Sequence, residues 1–356
     1  LEEDYATPMQ SEPSGPDPRT VLDALRLSRR PVVLAGSSAI RFGWGSYLSR
    51  LSVPIFTTVS AKGMLDERSS FAAGVYTGAG GKDAPESSLF AQADLVVGLG
   101  LDARELLSSE VSKRKLINVF PSVYDYSRSY LGDLVSDKYL PEIVDGLTRK
   151  QWGLEEIRAS KRKLFESLGN KHFLPFNFFS ILSQHFPENG RLVVDVGSFA
   201  TIGEHVWEAR DPDQFLISGN ARYMGGAIPM ALGAAFLNNE SPVVTVLGDG
   251  GIGMHLAEVK LAVEARLPIL FALLSDGGFG SIKSAVIDSG LSSRCLEKFN
   301  PSFVPAMEGL GIPGVRVTSE AELKSVLENH DFVEPYYVEC HFESDPYRQM
   351  TLDLRN

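Results

Sequence analysis

The chain has 356 residues, of which 44% are hydrophobic and 22% charged, and its formal net charge is −11. This composition is ordinary for a globular protein long enough for two domains, and the acidic balance argues against nucleic acid or an anionic membrane as the main partner. No apolar run reaches the roughly 20 residues of a membrane-spanning helix. Two cysteines, Cys295 and Cys340, make no disulfide framework and favour a reduced, cytoplasmic setting.

Residues 1–20 contain Pro8, Pro13, Pro16 and Pro18 among small and charged residues. Such a segment is predicted to be an extended linker. The sequence begins without methionine, so we expect that another segment precedes it or that the chain is a processed piece.

Residues 21–150 alternate strand and helix patterns, which predicts an open parallel sheet of Rossmann type. The predicted strands are Pro31–Ala35, Pro54–Val59, Asp94–Leu99 and Leu116–Phe120, and the predicted helices are Val21–Leu27, Gly45–Leu51 and Ser87–Ala93. The turn that follows the first strand, Gly36 to Ala39, lacks the second and third glycines of a dinucleotide fingerprint. A flavin or nicotinamide site here is therefore weakly supported, and a packing role is favoured.

Residues 151–176 are predicted to be a polar helical connector, and residues 177–356 a second α/β domain. Its predicted elements are Arg191–Val196, Phe215–Ser218, Ile228–Phe236, Pro242–Leu247, Ile269–Leu274, Val315–Thr318, Glu320–Asn329 and Pro335–Cys340. The polar tail, residues 343–356, is predicted to be ordered only by a neighbour. The fold class is thus α/β, with two doubly wound domains.

The segment from Gly248 to Ser284 is the part on which the functional interpretation depends. A buried strand stops at a glycine turn, a helix is predicted from the spacing of Leu256, Val259, Val263 and Leu267, and a second strand ends at a second glycine turn.

Asp249 and Asp276 each come just after one of these strands, so we expect them to lie close together at the carboxyl edge of the sheet. Two carboxylates beside an anion-binding turn predict a magnesium- or calcium-bound diphosphate. The alternative is a plain crossover with two solvated aspartates.

This segment resembles the cofactor motif of thiamine diphosphate (ThDP)-dependent enzymes, in the group of acetohydroxyacid synthase and benzoylformate decarboxylase. The motif opens with Gly248-Asp249-Gly250, followed by Gly251, and closes at Ser275-Asp276, where the family has Asn-Asn. The resemblance implies that the Asp249 and Asp276 side chains and the Gly278 carbonyl hold Mg²⁺, which in turn holds the diphosphate. Aspartate at 276 keeps an oxygen ligand but adds a negative charge.

A second block, Ser218 to Gly233, is similar to the glycine-rich segment of the same family. The resemblance implies that Met224 is the wedge under the thiazolium ring and that the Arg222 carbonyl faces the aminopyrimidine. A methionine that fills a gap in the core is the alternative for Met224.

Further pocket residues are implied by the same resemblance. Gly197 and Ser198 would lie near the diphosphate, and Ser281 and Ile282 would shape the substrate pocket without moving protons. Ala285 stands where acetohydroxyacid synthases carry a tryptophan, so their substrate cannot be inferred for this chain.

Other chemically capable residues are predicted to have ordinary roles. His205 and His255 are interpreted as helix-surface or capping histidines, and Lys283 as a solvated lysine. Cys295 has no base beside it in sequence, so a catalytic thiol is not expected.

The resemblance implies a ThDP- and Mg²⁺-dependent lyase or ligase that acts on a 2-oxo acid or aldehyde, in a dimer or tetramer. The family's activating glutamate comes from an amino-terminal pyrimidine-binding domain, which we expect in another chain or a severed segment. The middle domain binds FAD in some family members and only packs in others. The alternatives are a non-catalytic partner that retains the fold and a flavin- or nicotinamide-binding protein.

Overall fold

The structure, a computed structural model, describes residues 17–78, 80–102, 105, 111, 115–121, 132–169, 172–219, 222–296 and 302–355. The described strands form two six-stranded sheets in which every pairing is parallel, with helices alongside. The predicted α/β class with two doubly wound sheets is confirmed. Within these ranges no helix is long and apolar enough to cross a membrane.

The first sheet has the strand order β3-β2-β1-β4-β5-β6. Its strands are β1 Pro31–Ala35, β2 Ile55–Thr58, β3 Ala72–Tyr76, β4 Leu95–Leu99, β5 Leu116–Phe120 and β6 Asp133–Ser136. The central strands are buried along their whole length, because helices cover both faces of a parallel sheet. Strands β3 and β6 were not predicted, since Gly74 interrupts one and the other is half exposed at the edge.

Five described helices accompany the first sheet, and together with it they are called the first half of the chain below; the second sheet and its helices are called the second half. The five helices are α1 Pro18–Leu27, α2 Ser37–Arg41, α3 Gly45–Leu48, α4 Pro85–Gln92 and α5 Leu140–Thr148. The predicted linker is wrong at its end, because α1 already begins at Pro18. Proline suits the first position of a helix, and the Asp17 side chain accepts a hydrogen bond from the Arg19 N–H at 3.0 Å. The rest of the predicted linker, residues 1–16, lies outside the described residues.

The predicted connector contains a long helix, α6 Leu154–Leu168, and the start of α7 Pro175–His185. Ile157, Leu164 and Leu168 recur at helical spacing and are buried, so one face of α6 packs on the core. Of its basic residues, Lys161 is half-buried and donates to the Glu67 carbonyl at 3.2 Å, while the others are exposed. The domain boundaries at residues 150 and 176 stay predictions.

The second sheet has the order β11-β12-β10-β9-β7-β8. Its strands are β7 Arg191–Val194, β8 Phe215–Ile217, β9 Val243–Leu247, β10 Ile269–Ser275, β11 Gly314–Val317 and β12 Tyr336–His341. Its helices are α8 Ser198–Val206, α9 Ala227–Leu237, α10 Asp249–Ile252, α11 Lys260–Glu264, α12 Gly280–Asp288, α13 Val304–Gly309, α14 Glu320–Glu328 and α15 Ser344–Arg355. Strands β9 and β10 lie side by side and are fully buried, so their carboxyl ends meet at one edge.

The single helix predicted between β9 and β10 is wrong. The chain instead forms the short α10, a 3₁₀ turn at Leu256–Val259 and then α11. Glycines at 248, 250, 251 and 253 weaken helix propagation, so the first turn is separated from the rest. Val259 and Leu267 of the predicted apolar face are nevertheless buried.

The carboxyl-terminal tail was predicted to be ordered only by a neighbour, and this is wrong. It forms α15, whose Tyr347, Met350 and Leu354 are buried in the core of the second half. These residues follow helical spacing that the surrounding polar residues obscured. The Leu354 carbonyl also accepts a hydrogen bond from the Gly81 N–H at 2.7 Å, which ties the tail to the first half.

Buried polar groups join the two halves of the chain. The Ala209 N–H donates to the Glu67 carboxylate at 2.8 Å. The His205 side chain is only 2% exposed and lies 3.9 Å from Glu86 of the first half, so its predicted position on a helix surface is wrong. Helix α8, which carries His205, is therefore in contact with the first half through this side chain.

Glu86 gives this contact a pH dependence. The carboxylate accepts hydrogen bonds from the Thr77 N–H, the Thr77 hydroxyl and the Gly78 N–H. Burial alone would raise the pKa of Glu86, but His205 and these hydrogen bonds outweigh it and lower the pKa below its usual 4.5. The stabilisation is thus present above pH 4.5 and is lost as the pH falls through the folded-state pKa.

We expect Glu86→Gln to lower the free energy of unfolding at pH 7 by about 1–3 kcal/mol, because a buried charged acceptor is lost. The difference from the parent protein should shrink as the pH falls below 4.5. Urea unfolding from pH 7 down to the lowest pH at which the parent protein stays folded measures both effects, with the exposed Glu142→Gln as the matched control. A difference that stayed constant with pH would contradict this role of Glu86.

Candidate functional site

A cavity of about 270 Å³ opens at the carboxyl ends of β7, β9 and β10. Every residue that the sequence analysis assigned to the site lines this cavity: Gly197, Ser198, Arg222, Met224, Gly248, Asp249, Gly250, Gly251, Asp276, Gly278, Ser281 and Ile282. The positions follow from the sheet, because parallel strands bring the turns after them to one edge. The chemical roles of these residues stay predictions.

The Asp249 carboxylate organises the loop that follows β10. One of its oxygens accepts a hydrogen bond from the Ser275 hydroxyl at 2.8 Å. The other accepts the backbone N–H groups of Asp276, Gly277 and Gly278 at 3.1, 3.1 and 3.2 Å. The loop therefore wraps around a single buried carboxylate.

The same loop places Asp276 beside Asp249. The Asp276 side chain accepts the Gly278 N–H at 3.3 Å, and Gly280 leaves room for it because a Cβ there would overlap its carboxylate. Burial, together with the negative charge of Asp249, raises the pKa of Asp276 to about 6. Two neighbouring carboxylates, one buried and one half-buried, form a favourable position for a cation.

The donor chemistry of this pair fits magnesium, which prefers oxygen ligands. Among the described residues, no group of three or more His, Cys, Asp or Glu side chains is arranged to hold a metal ion. A metal at the Asp249–Asp276 pair would therefore complete its coordination with backbone carbonyls, water or oxygens of a bound ligand.

Two glycines bring the backbone close to the cavity wall. A Cβ on Gly250 would lie 2.5 Å from the Phe279 ring and 2.6 Å from the Met224 sulfur. A Cβ on Gly251 would overlap the Asp195 carboxylate. Larger residues at these positions would displace the cavity wall, which explains the glycines on packing grounds.

Asp195 fixes the turn that carries Met224, although the sequence analysis did not single it out. Its carboxylate is 2% exposed and accepts the Gly225 N–H at 2.9 and 3.0 Å. Gly225 has a φ of +89°, a conformation that glycine adopts readily. Burial raises the pKa of Asp195 despite these hydrogen bonds. The sequence offered one signal for Asp195, namely an acidic residue near the end of the predicted strand Arg191–Val196.

Arg222 occupies a backbone conformation that is unusual for a residue with a side chain. Its φ is +44°. Its guanidinium lies 2.9 Å from the carboxylate of Glu204, which is 1% exposed. Burial raises the pKa of Glu204, and the charge of Arg222 offsets only part of this effect.

Helices α8 and α12 both begin at the cavity. The Ser198 and Ser281 hydroxyl oxygens, at or next to these amino termini, lie 2.7 Å apart. The N–H groups of the first helical turns and the helix dipoles make this region favourable for an anion. Ile282 is 51% exposed and lies at the rim.

Three aromatic lining residues had no assigned role in the sequence analysis: Phe199, Phe279 and Tyr347. Phe199 and Phe279 each follow a predicted site residue directly in sequence, so their position next to Ser198 and Gly278 could have indicated them. Tyr347 belongs to α15, which was predicted to lack order, so no local pattern pointed to it. Burial raises the pKa of the Tyr347 hydroxyl.

The other candidate residues lie outside this cavity. His205 is buried against Glu86, and His255 is half-buried before the 3₁₀ turn at Leu256–Val259. Lys283 is half-buried and lines a neighbouring cavity of about 80 Å³. The side chain of Cys295 lies outside the described residues.

In the first half, the turn after β1, for which a flavin or nicotinamide site was weakly supported, contacts the carboxylate of Glu105. The Ser37 N–H, at the start of α2, donates to Glu105 at 2.6 Å, and the Thr58 hydroxyl donates to the same oxygen at 3.0 Å. Burial raises the pKa of Glu105. These contacts give no support to a flavin or nicotinamide site in the first half, which stays a prediction.

Two family models match this chain. Residues 195–340 match the thiamine pyrophosphate enzyme C-terminal TPP-binding domain, and residues 19–135 match the thiamine pyrophosphate enzyme central domain. The two matched ranges follow each other in sequence; the first covers nearly all of the first sheet, and the second covers the second sheet apart from β7 and the last residue of β12.

The chain is also similar in sequence to acetolactate synthases and to a 2-hydroxyacyl-CoA lyase. The probable acetolactate synthase large subunit of Methanocaldococcus jannaschii is 25% identical, with 92% of this chain and 61% of the relative covered. The mitochondrial acetolactate synthase catalytic subunit of Saccharomyces cerevisiae is 24% identical, with coverages of 86% and 49%. For 2-hydroxyacyl-CoA lyase 2 of Homo sapiens the identity is 24%, with coverages of 92% and 56%.

The chain thus spans between 49% and 61% of the length of these three relatives. Two consecutive domain models of one family cover most of the residues of this chain, and the similar proteins are named as acetolactate synthases or as a 2-hydroxyacyl-CoA lyase. The chain belongs to the thiamine diphosphate-dependent enzyme family, of which it carries the central and the C-terminal cofactor-binding domains.

Proposed function

We propose that this chain anchors the diphosphate end of ThDP through Mg²⁺ in the cavity described above. The whole enzyme would be a lyase or transferase that breaks or forms a carbon-carbon bond beside the carbonyl of a 2-oxo acid or aldehyde. One observation carries the proposal: the Asp249–Asp276 carboxylate pair lies at a glycine turn beside the amino termini of α8 and α12.

Asp249 and Asp276 would hold the metal together with the Gly278 carbonyl, and diphosphate oxygens would supply further ligands. The glycine turn at Gly248, Gly250 and Gly251 would let the diphosphate approach the backbone closely. Asp276 would keep an oxygen ligand and would add a negative charge to the site where the family motif has a neutral amide.

The remaining residues of the cavity would bind and orient the cofactor and substrate. When bound, ThDP supplies the nucleophilic carbon and the electron sink that carbon-carbon cleavage beside a carbonyl requires. Met224 would support the ring from below, and the Arg222 carbonyl would accept a hydrogen bond from the aminopyrimidine. Ser281 and Ile282 would shape the substrate side, while Phe199 and Phe279 exclude water from the walls.

An activating glutamate is the part that this cavity does not supply. Asp249 and Asp276 are the acidic side chains among its described lining residues, and both are assigned to the metal. We therefore propose that a pyrimidine-binding domain, in another chain or in a further segment of the same protein, contributes the glutamate across an oligomer interface.

The other two readings have less support. A non-catalytic partner would need neither the metal ligands nor the wedge, yet Asp249 and Met224 are both present and both line the cavity. A flavin- or nicotinamide-binding protein would need an anion site in the first half, where Glu105 receives the Ser37 N–H.

Calorimetric titration with ThDP, with and without Mg²⁺ and with and without co-purifying protein, tests the proposal. Metal-dependent binding that tightens with a partner would support a shared cofactor site. Absence of binding under every condition would favour the non-catalytic reading.

Asp249→Ala should abolish metal-dependent ThDP binding, because it removes a metal ligand and the acceptor of three loop N–H groups. The measurement is calorimetry at saturating Mg²⁺, with thermal unfolding to check the fold. Asp331→Ala, at an exposed position outside the cavity, is the matched control. Unchanged affinity in Asp249→Ala would rule out this metal site.

Met224→Ala should leave ThDP affinity within about five-fold of the parent while turnover of the complete enzyme falls about 100-fold, because a misplaced cofactor reacts slowly. Single-turnover kinetics and calorimetry separate the two quantities. Met230→Ala, on the following helix and outside the cavity lining, is the control. Normal turnover in Met224→Ala would show that it only fills space.

A further inference from the structure

We infer that Glu204 is a positioning residue: it holds Arg222, and with it the Arg222 carbonyl, in the left-handed conformation that this residue has at the wall of the cofactor cavity. This inference rests on the proposed function, in which that carbonyl meets the aminopyrimidine. It adds a role for a buried glutamate that does not itself line the cavity.

The backbone of Arg222 is strained. A φ of +44° places Cβ close to the neighbouring carbonyl, and residues other than glycine, asparagine and aspartate seldom adopt it. The Arg222 N–H donates to the Ser218 carbonyl at 2.9 Å, which closes the turn but does not remove the steric strain. Some other interaction of Arg222 must favour this conformation over the right-handed one.

The Glu204 carboxylate provides that interaction. It lies on α8, is 1% exposed, and is 2.9 Å from the Arg222 guanidinium, which is itself 28% exposed. Neither Glu204 oxygen accepts a hydrogen bond of good geometry from the described residues, so the contact is mainly a charge pair. Removing either charge would leave the other poorly compensated in a buried position.

The charges around Glu204 come from both halves of the chain. Lys62 of the first half and His205 of α8 lie close enough to lower its pKa, with smaller effects than Arg222. Lys62 is already paired with Glu67, and His205 lies beside Glu86. The first half thus restrains α8 through its contact with His205, and Glu204 of the same helix contacts Arg222.

The inference predicts that the backbone conformation, rather than the guanidinium, is what the cavity requires. Glu204→Gln keeps the shape but removes the charge, so Arg222 should relax and ThDP should bind about ten-fold more weakly, a change comparable to the energy of one strained residue. Glycine adopts a φ of +44° freely, so adding Arg222→Gly to Glu204→Gln should restore affinity to within about two-fold of the parent.

Alanine is the matched control for glycine. Arg222→Ala also removes the guanidinium but keeps the Cβ that causes the strain. The double variant Glu204→Gln with Arg222→Ala should therefore stay about ten-fold weaker, like Glu204→Gln alone. A purely structural role for Glu204 would affect the glycine and alanine variants alike.

The experiment is Mg²⁺-dependent ThDP calorimetry on the full chain, with any co-purifying partner, for the parent and these three variants. Thermal unfolding shows whether each variant folds. If the Glu204→Gln variants do not fold, Arg222→Gly and Arg222→Ala in the parent background give the same comparison, and glycine should bind about ten-fold more tightly than alanine.

The outcomes separate the two proposals. Normal binding by the parent with unchanged affinity in Glu204→Gln, or equal affinities for glycine and alanine at position 222, would overturn the role of Glu204 alone. Weak binding by the glycine variants would also overturn it, because the guanidinium itself would then be required. No binding by the parent would overturn the proposed function and this inference with it.

Discussion

The site depends on the hydrogen bonds that the Asp249 carboxylate accepts from the loop after β10. Three consecutive backbone N–H groups and the Ser275 hydroxyl point at this one side chain. Buried N–H groups require acceptors, so the carboxylate fixes the loop path. That path places Asp276 beside Asp249 and starts α12 at the cavity. The Asp249 carboxylate, just after β9, therefore determines the conformation of the loop that follows β10.

The two sheets use the same type of turn in opposite ways. After β1, the turn that begins at Gly36 directs the Ser37 N–H to the Glu105 carboxylate of the same half. After β9, the Gly248 turn opens into a cavity of about 270 Å³ lined by glycines and two carboxylates. Fold alone does not fix function, and here one side chain distinguishes a packing turn from a candidate cofactor site.

The first half contributes to the site indirectly. Its Glu67 and Glu86 contact Ala209 and His205 behind α8, while the front of α8 begins at the cavity. Buried charges tolerate little displacement, since their partners must stay within reach. The contact between the halves thus restrains the helix that carries both Ser198 and Glu204.

The sequence by itself determined the central strands of both sheets and the residues that meet at the cavity. Short β-branched runs that end at glycine are local patterns, and parallel pairing brings the turns after them together, so Asp249 and Asp276 could be found without a structure. Met224 was found through the resemblance of its glycine-rich block to the family. The roles of Asp195, Glu204 and Tyr347 could not be found in this way, because these roles come from partners distant in the chain. Tertiary contacts also decided the broken helix after Gly248 and the order of α15, since local propensity is weak beside packing.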